Sequence, residues 1–222
     1  MNVKARSAAD AVALIGDGSV LYIGGNGAIN VPDSTIAALA ARYEATGHPC
    51  DLTVVHTSGL GDQAGAGTDR LALPGMLKRV ILGHYGMSPM IATLALSGEI
   101  EAYNFPQGVL SQLMRRVAGG HCGMLSRIGL GTFVDPHNDG GKLNSITKED
   151  LVTRVVIEGH EHLYYRIPLP DVAIVRGTTS DELGNLTMEY EAGWFEMLSQ
   201  ATAASNHAVS YTHLTLPTSD LV

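Results

Sequence analysis

Two uncharged amides, Asn104 and Gln107, frame Phe105-Pro106 in the stretch Glu101-Ala102-Tyr103-Asn104-Phe105-Pro106-Gln107-Gly108. A short strand pattern ends at Tyr103-Asn104, and Pro106-Gln107 opens a helical one. Primary amides both donate and accept, so at a strand C-terminus they suit a carboxylate or a developing acyl oxyanion. An Asn104 helix cap and a surface Gln107 explain the same residues equally well. A second candidate is the glycine corner Gly24-Gly25-Asn26-Gly27, between the apolar run Val20–Ile23 and Pro32. Without Cβ atoms such a corner lets a ligand approach backbone N–H groups, and Pro32 is suited to the first turn of a helix. A strand, glycine turn and helix N-terminus in that order could cradle a phosphate, a carboxylate or an oxyanion.

Other chemistries lack their residues. The corner carries no third glycine of a dinucleotide fingerprint, and no acidic residue closes the following strand, which ends in His56. No Gly-Lys-Ser/Thr follows a glycine loop, and no Gly-x-Ser-x-Gly elbow occurs. His160 and His162 would share one face of a strand, but an ordinary polar hairpin edge is the simpler reading. Cys50 and Cys122 show no metal-ligand spacing, so no metal site is assigned. His56 and His84 close strands, where a hydrogen-bonded loop histidine is the plainer expectation. Asp181 and Glu182 read as solvated turn residues, and Glu99 and Glu101 stand at the start of their strand.

The elements that must position these groups alternate. Ser7 caps a short helix that stops at Gly16, and strands are expected at 20–23, 52–56, 80–82, 101–104 and 172–176. Helices fit 31–46, 89–96, 107–117 and 194–204. The apolar strands read as covered on both faces. The pattern predicts an α/β domain, a largely parallel sheet flanked by helices with ligand loops at the strand C-terminal ends. A smaller loop- and hairpin-rich lobe is expected over about 120–170, with a helix start at Thr147–Asp150 and a hairpin turning at Gly159-His160. The segment Val209–Val222 has no partner in the pattern. It resembles a translated sequencing-adapter read-through, so residues after about Asn206 are expected to pack poorly.

Composition sets the class. The 222 residues carry 45% hydrophobic and 16% charged side chains with a net charge of −8, so there is no basic footprint for nucleic acid. No apolar run is long enough to span a membrane and no signal peptide is evident, so a cytoplasmic protein is expected. Glycine, 26 residues, gathers at turns, which points to loops that make contacts through their backbone.

In family order, residues 1 to about 204 resemble the N-terminal half of family I coenzyme A transferases. The matching pieces are Asp17-Gly18 with Leu21-Tyr22-Ile23-Gly24-Gly25, Gly27 and Pro32, then Leu77-Lys78-Arg79 and Gly83-His84, then Glu101-Ala102-Tyr103-Asn104 with Gln107-Gly108. They continue with Gly129, Gly131-Thr132-Phe133, Asp135-Pro136, Gly140-Gly141-Lys142, Asn144, Ile146–Asp150, Arg176-Gly177-Thr178 and Gly184-Asn185. The resemblance implies CoA transfer between short-chain carboxylic or 3-oxo acids through a glutamyl-CoA intermediate. It implies acyl-CoA and a carboxylic acid as partners, coenzyme A esters as substrates with no other cofactor, and a homo-oligomeric whole enzyme. Gln107 is carried over as the carboxylate-contacting amide, and Gly24, Gly25 and Asn26 as pocket wall, with Asn104 and Gly108 beside them. The nucleophilic glutamate is expected in a missing C-terminal half, so no catalytic residue is assigned here: Glu158-Gly159 lacks the family spacing, and Glu191-Ala192-Gly193 belongs to this half. The alternative is a sugar-phosphate-binding domain or sugar-phosphate isomerase of the same general fold.

Overall fold

The computed structural model describes residues 7–207. Five strands form one parallel sheet: β1 (Val20–Ile23), β2 (Leu52–Val55), β3 (Leu77–Leu82), β4 (Glu101–Asn104) and β8 (Val172–Ile174), ordered β4-β3-β2-β1-β8. Between β4 and β8 in sequence, β5 (Met124–Ser126), β6 (Val152–Ile157) and β7 (His160–Tyr165) make a separate antiparallel sheet, ordered β5-β7-β6.

Side chains alternate across the parallel sheet and divide the core in two. Leu21, Ile23, Val54, Val80 and Leu82 face Ile36 and Leu39 of α2 (Asp33–Thr46) and Ile91 of α3 (Pro89–Ser97), with α1 (Ala8–Val12) beside them. Tyr22, Val55, Ile81 and Tyr103 face the opposite layer. There α4 (Gln107–Ala118) buries Val109, Leu110, Leu113, Met114 and Val117, and α5 (Met197–His207) buries Met197, Ala203 and Ala204. Each large apolar side chain so buried contributes roughly 1.5–3 kcal/mol.

The lobe joins this second layer. Phe105 stacks edge-on against Tyr103 and Tyr165, with ring centroids 5.9 and 5.7 Å apart. Residues 141–143 seal the free edge of β4: Asn104 N–H donates to the Gly141 carbonyl at 2.8 Å and Leu143 N–H to the Ala102 carbonyl at 2.9 Å.

Several local expectations are corrected. No helix starts at Thr147–Asp150; the Thr147 hydroxyl accepts from Ala102 N–H at 2.8 Å, so this segment finishes the β4 edge. The hairpin turns on Glu158-Gly159, one residue earlier than expected, because both take positive φ (51° and 78°) and Ile157 pairs with His160. Pro32 sits at the N-cap of α2 and Asp33 is the first helical residue, so proline is not inside the first turn. The first helix ends at Ala13, before Gly16. Strand β5 and the 3-10 helix Gly67–Leu71 carry no periodic signal and were not foreseen. Asn206 and His207 are tied to the α4 end through the Ala118 and Val117 carbonyls, at 2.8 and 3.1 Å. The expectation for the tail beyond them lies outside the described residues.

Candidate functional site

The C-terminal ends of β1 to β4 bring Gly24, Thr57, Gly83 and Asn104 to one edge of the sheet, and α4 starts beside it. Gln107 is the first residue of α4. Its side chain is exposed and makes no hydrogen bond among the described residues, so both donor and acceptor are free for a ligand. Gly83 lets it sit there: a Cβ on Gly83 would lie 2.1 Å from the Thr57 carbonyl oxygen and 3.3 Å from Gln107 Cβ. Gly108 is exposed next to Gln107.

Asn104 is committed differently. Its amide donates to the Gly83 carbonyl at 2.7 Å and the Leu82 carbonyl at 3.2 Å, which clamps the β3 and β4 ends together. Only its carbonyl oxygen remains for a ligand. Asn104 does not cap α4 either; the N-cap residue is Pro106.

Three of the four N–H groups of the glycine corner are spent internally, and Gly25 N–H makes no hydrogen bond among the described residues. Gly24 N–H donates to Ile174, Asn26 N–H to Ile29 and Gly27 N–H to Gly59, at 2.9, 3.0 and 2.9 Å. The first turn of α2 is occupied by the Asp33 carboxylate, which accepts from Gly67 N–H and both arms of Arg70. Gly24 and Gly25 are buried, Gly24 beneath the start of α5 and Gly25 against Ile29, Asn30 and Leu60. A Cβ on Gly24 would come within 2.9 Å of Met197 Cγ and 3.1 Å of Gln200 Oε1. Asn30 donates to the Gly193 carbonyl, and Gln200 to the Ile23 carbonyl. The corner and Asn104 lie on one edge but three strands apart, roughly 14 Å at the usual strand spacing. One small group cannot touch both; a long ligand could.

Sequence reasoning missed Glu196 and Thr57. The Thr57 hydroxyl donates to Glu196 Oε2 at 2.8 Å, which places a carboxylate beside the strand ends. Nothing in the local sequence of Glu196 announces this, because the contact spans 139 residues. Ser58 Oγ lies 3.2 Å from His84 Nε2, and Gly86 N–H donates to His84 Nδ1, so His84 is the hydrogen-bonded loop histidine expected. His56 is not: it is fully buried on the far face, and neither ring nitrogen has a partner. Burial, with a smaller push from His84, drives its pKa down to about 3 and keeps the ring neutral. His160 and His162 lie at the start of β7, the middle strand of the lobe, and no third ligand stands near them among the described residues. Glu191 of the Glu-x-Gly triplet is buried against Arg176 at 3.1 Å, so its carboxylate is already paired. A cleft of about 720 Å³ is lined by residues between 133 and 148 of the lobe. Its Lys142 is taken by Asp150.

The family model for coenzyme A transferase matches residues 5–214. The chain is 43% identical over 206 residues to the acetate CoA-transferase YdiF of Escherichia coli K12, covering 92% of this chain and 39% of that protein. It is 40% identical to the caffeate CoA-transferase of Acetobacterium woodii, covering 90% and 38%. It is 28% identical to the α subunit of the acetate CoA-transferase of E. coli K12, covering 89% and 80%. The crystal structure of YdiF from E. coli O157:H7 superposes with a TM-score of 0.90 at 39% identity, over 100% of this chain and 44% of that one. The chain thus spans about two fifths of the length of its two more similar relatives and most of a separate α subunit. With the parallel sheet, the strand-end glycines and the free Gln107 amide in place, the chain belongs to the coenzyme A transferase family.

Proposed function

We propose that this chain is the substrate-side, N-terminal part of an enzyme that moves coenzyme A between short-chain carboxylic or 3-oxo acids, with the nucleophilic glutamate in a second half. The observation that carries the reading is the unpaired Gln107 amide at the strand-end edge of a family member whose own carboxylates there are already engaged. The glutamate carboxylate of the second half attacks the acyl-CoA thioester, giving an acyl-glutamyl anhydride and CoA thiolate. The thiolate then attacks the glutamyl carbonyl, releasing the first carboxylate and leaving a glutamyl-CoA thioester. An incoming carboxylate repeats the two exchanges in reverse, so CoA leaves on the new acid and the glutamate is restored. Each step puts charge on an acyl oxygen, and a fixed neutral amide stabilises it without adding a competing acid or base.

Coenzyme A enters as a substrate, not as a resident cofactor, and the whole enzyme works as a cytoplasmic homo-oligomer. The sugar-phosphate alternative is disfavoured because the family model and the relatives are coenzyme A transferases, and three of the corner's four N–H groups are spent internally. In the complete enzyme, Gln107→Ala should lower kcat/KM by roughly 10²-fold, the scale of one lost oxyanion donor, at an unchanged urea midpoint. An unchanged rate removes Gln107 from the site. The isolated chain should not exchange labelled acetate with acetyl-CoA; exchange would overturn the assignment of the nucleophile to the second half.

A further inference from the structure

At the opposite edge of the sheet, where β1 and β2 begin, the fold gathers three side chains that the sequence keeps apart. Asp17 precedes β1, and His48 and Cys50 precede β2. One ligand atom from each, a carboxylate oxygen, Nδ1 and Sγ, lies within 4.8 Å of the other two, and His48 Nδ1 is 2.9 Å from Asp17 Oδ2. Tetrahedral zinc with bonds of about 2.0–2.3 Å places its ligand atoms roughly 3.3–3.8 Å apart, so the His48–Asp17 pair at 2.9 Å would open slightly around an ion.

The loops bearing the donors are fixed by backbone contacts. Cys50 N–H donates to Asp17 Oδ1 at 2.9 Å, and Gly18 N–H donates to the Cys50 carbonyl at 2.9 Å. Asp51, with its carboxylate 3.7 Å from Cys50 Sγ, adds a second negative charge. Two carboxylates and a thiol around one imidazole leave the cluster short of positive charge.

We propose that Asp17, His48 and Cys50 form a binding site for a zinc-type divalent ion. The mixed oxygen, nitrogen and sulfur donors favour zinc or cobalt over magnesium or calcium, which prefer all-oxygen shells. Binding displaces the thiol proton to solvent, and water or Asp51 completes the fourth position. The site lies across the sheet from the strand-end edge, so it pins the β1 and β2 entries to each other and takes no part in acyl transfer.

The test uses Co²⁺ as probe on the 222-residue chain, with Zn²⁺ as competitor. Co²⁺ should give a saturable thiolate charge-transfer band at one ion per chain, and Zn²⁺ should abolish it. Cys50→Ser should remove the band, Cys122→Ser should leave it, and His48→Gln should weaken binding at least about tenfold. His48 is exposed, so His48→Gln serves if Cys50→Ser fails to fold. No saturable band, or a band that survives Cys50→Ser or is indifferent to His48→Gln, overturns the site.

Discussion

The parallel sheet and the antiparallel lobe hold their loops by different means. At the strand ends of the sheet the contacts are steric: Gly83 lies against the Thr57 carbonyl and Gly24 against Met197, with no space for one more carbon. In the lobe the central tie is electrostatic. Asp135 is 1% exposed and takes both arms of Arg154 at 2.9 Å, plus the N–H groups of Gly131 and His137. The strand ends should therefore fail when a carbon is added at Gly83, and the Asp135 tie of the lobe when its carboxylate is removed or protonated.

Gly83→Ala should show the largest effect. Its Cβ would meet backbone 2.1 Å away, which no rotamer change relieves, so β2 and β3 must separate. The expected loss is about 3 kcal/mol or more, the upper end of overpacking costs, read as a lower urea midpoint. Gly159→Ala at the hairpin tip meets open space and strains only a left-handed φ of 78°, at about 1–2 kcal/mol. Equal losses at the two positions would remove the steric contrast.

Asp135→Asn probes the lobe and should cost about 2 kcal/mol at neutral pH, the scale of lost charged hydrogen bonds. Arg154, then the Gly131 amide, hold the Asp135 carboxyl well below its usual range. A depressed folded pKa gives stability that is present above the unfolded value near 3.9 and lost as pH falls through the folded one. The gap between native chain and variant should thus close from about pH 5 downward in urea titrations. A gap independent of pH would mean that Asp135 acts by shape and not by charge.

Much of the sheet was legible because strands covered on both faces read as continuous apolar runs, as Val20–Ile23 does. Helix α4 was legible from its apolar spacing and from Pro106-Gln107, and the resemblance of motif order carried the family. The lobe was less so. β5 is three residues long, and Thr147 looks like a helix start in sequence while its hydroxyl serves a strand 45 residues away. At the site, Gln107 and Asn104 were visible as amides, but only the fold shows that Asn104 is spent on Gly83. The glycine corner misled for a related reason: glycines signal backbone freedom, not whether the N–H groups are left unpaired. Glu196 and the Asp17, His48 and Cys50 cluster depend on tertiary contacts that no local pattern encodes.

The smallest effect at neutral pH should come from His56→Leu, and it sharpens the contrast by giving the sheet a pH window of its own. His56 lies among Val54, Leu71, Leu77, Val80, Leu82 and Ile91, with no room for a water molecule. The Ser58 amide and the His84 ring are polar neighbours, but neither makes a hydrogen bond of ordinary geometry to it. Leucine is similar in volume and removes an unsatisfied polar ring, so stability near pH 7.5 should change by less than about 1.5 kcal/mol, in either direction. The folded pKa is about 3 and the ordinary value 6.5, so between these the unfolded chain binds the extra proton. Stability then rises with pH across that window, is fully present above it, and falls on acidification as the buried ring is forced to charge. His56→Leu should remove that slope between about pH 6.5 and 5, where Asp135 is still fully ionised in folded and nearly so in unfolded chains. A variant that keeps the slope, or loses several kcal/mol at pH 7.5, would show that the imidazole has a partner and is not the source of the sheet's acid sensitivity.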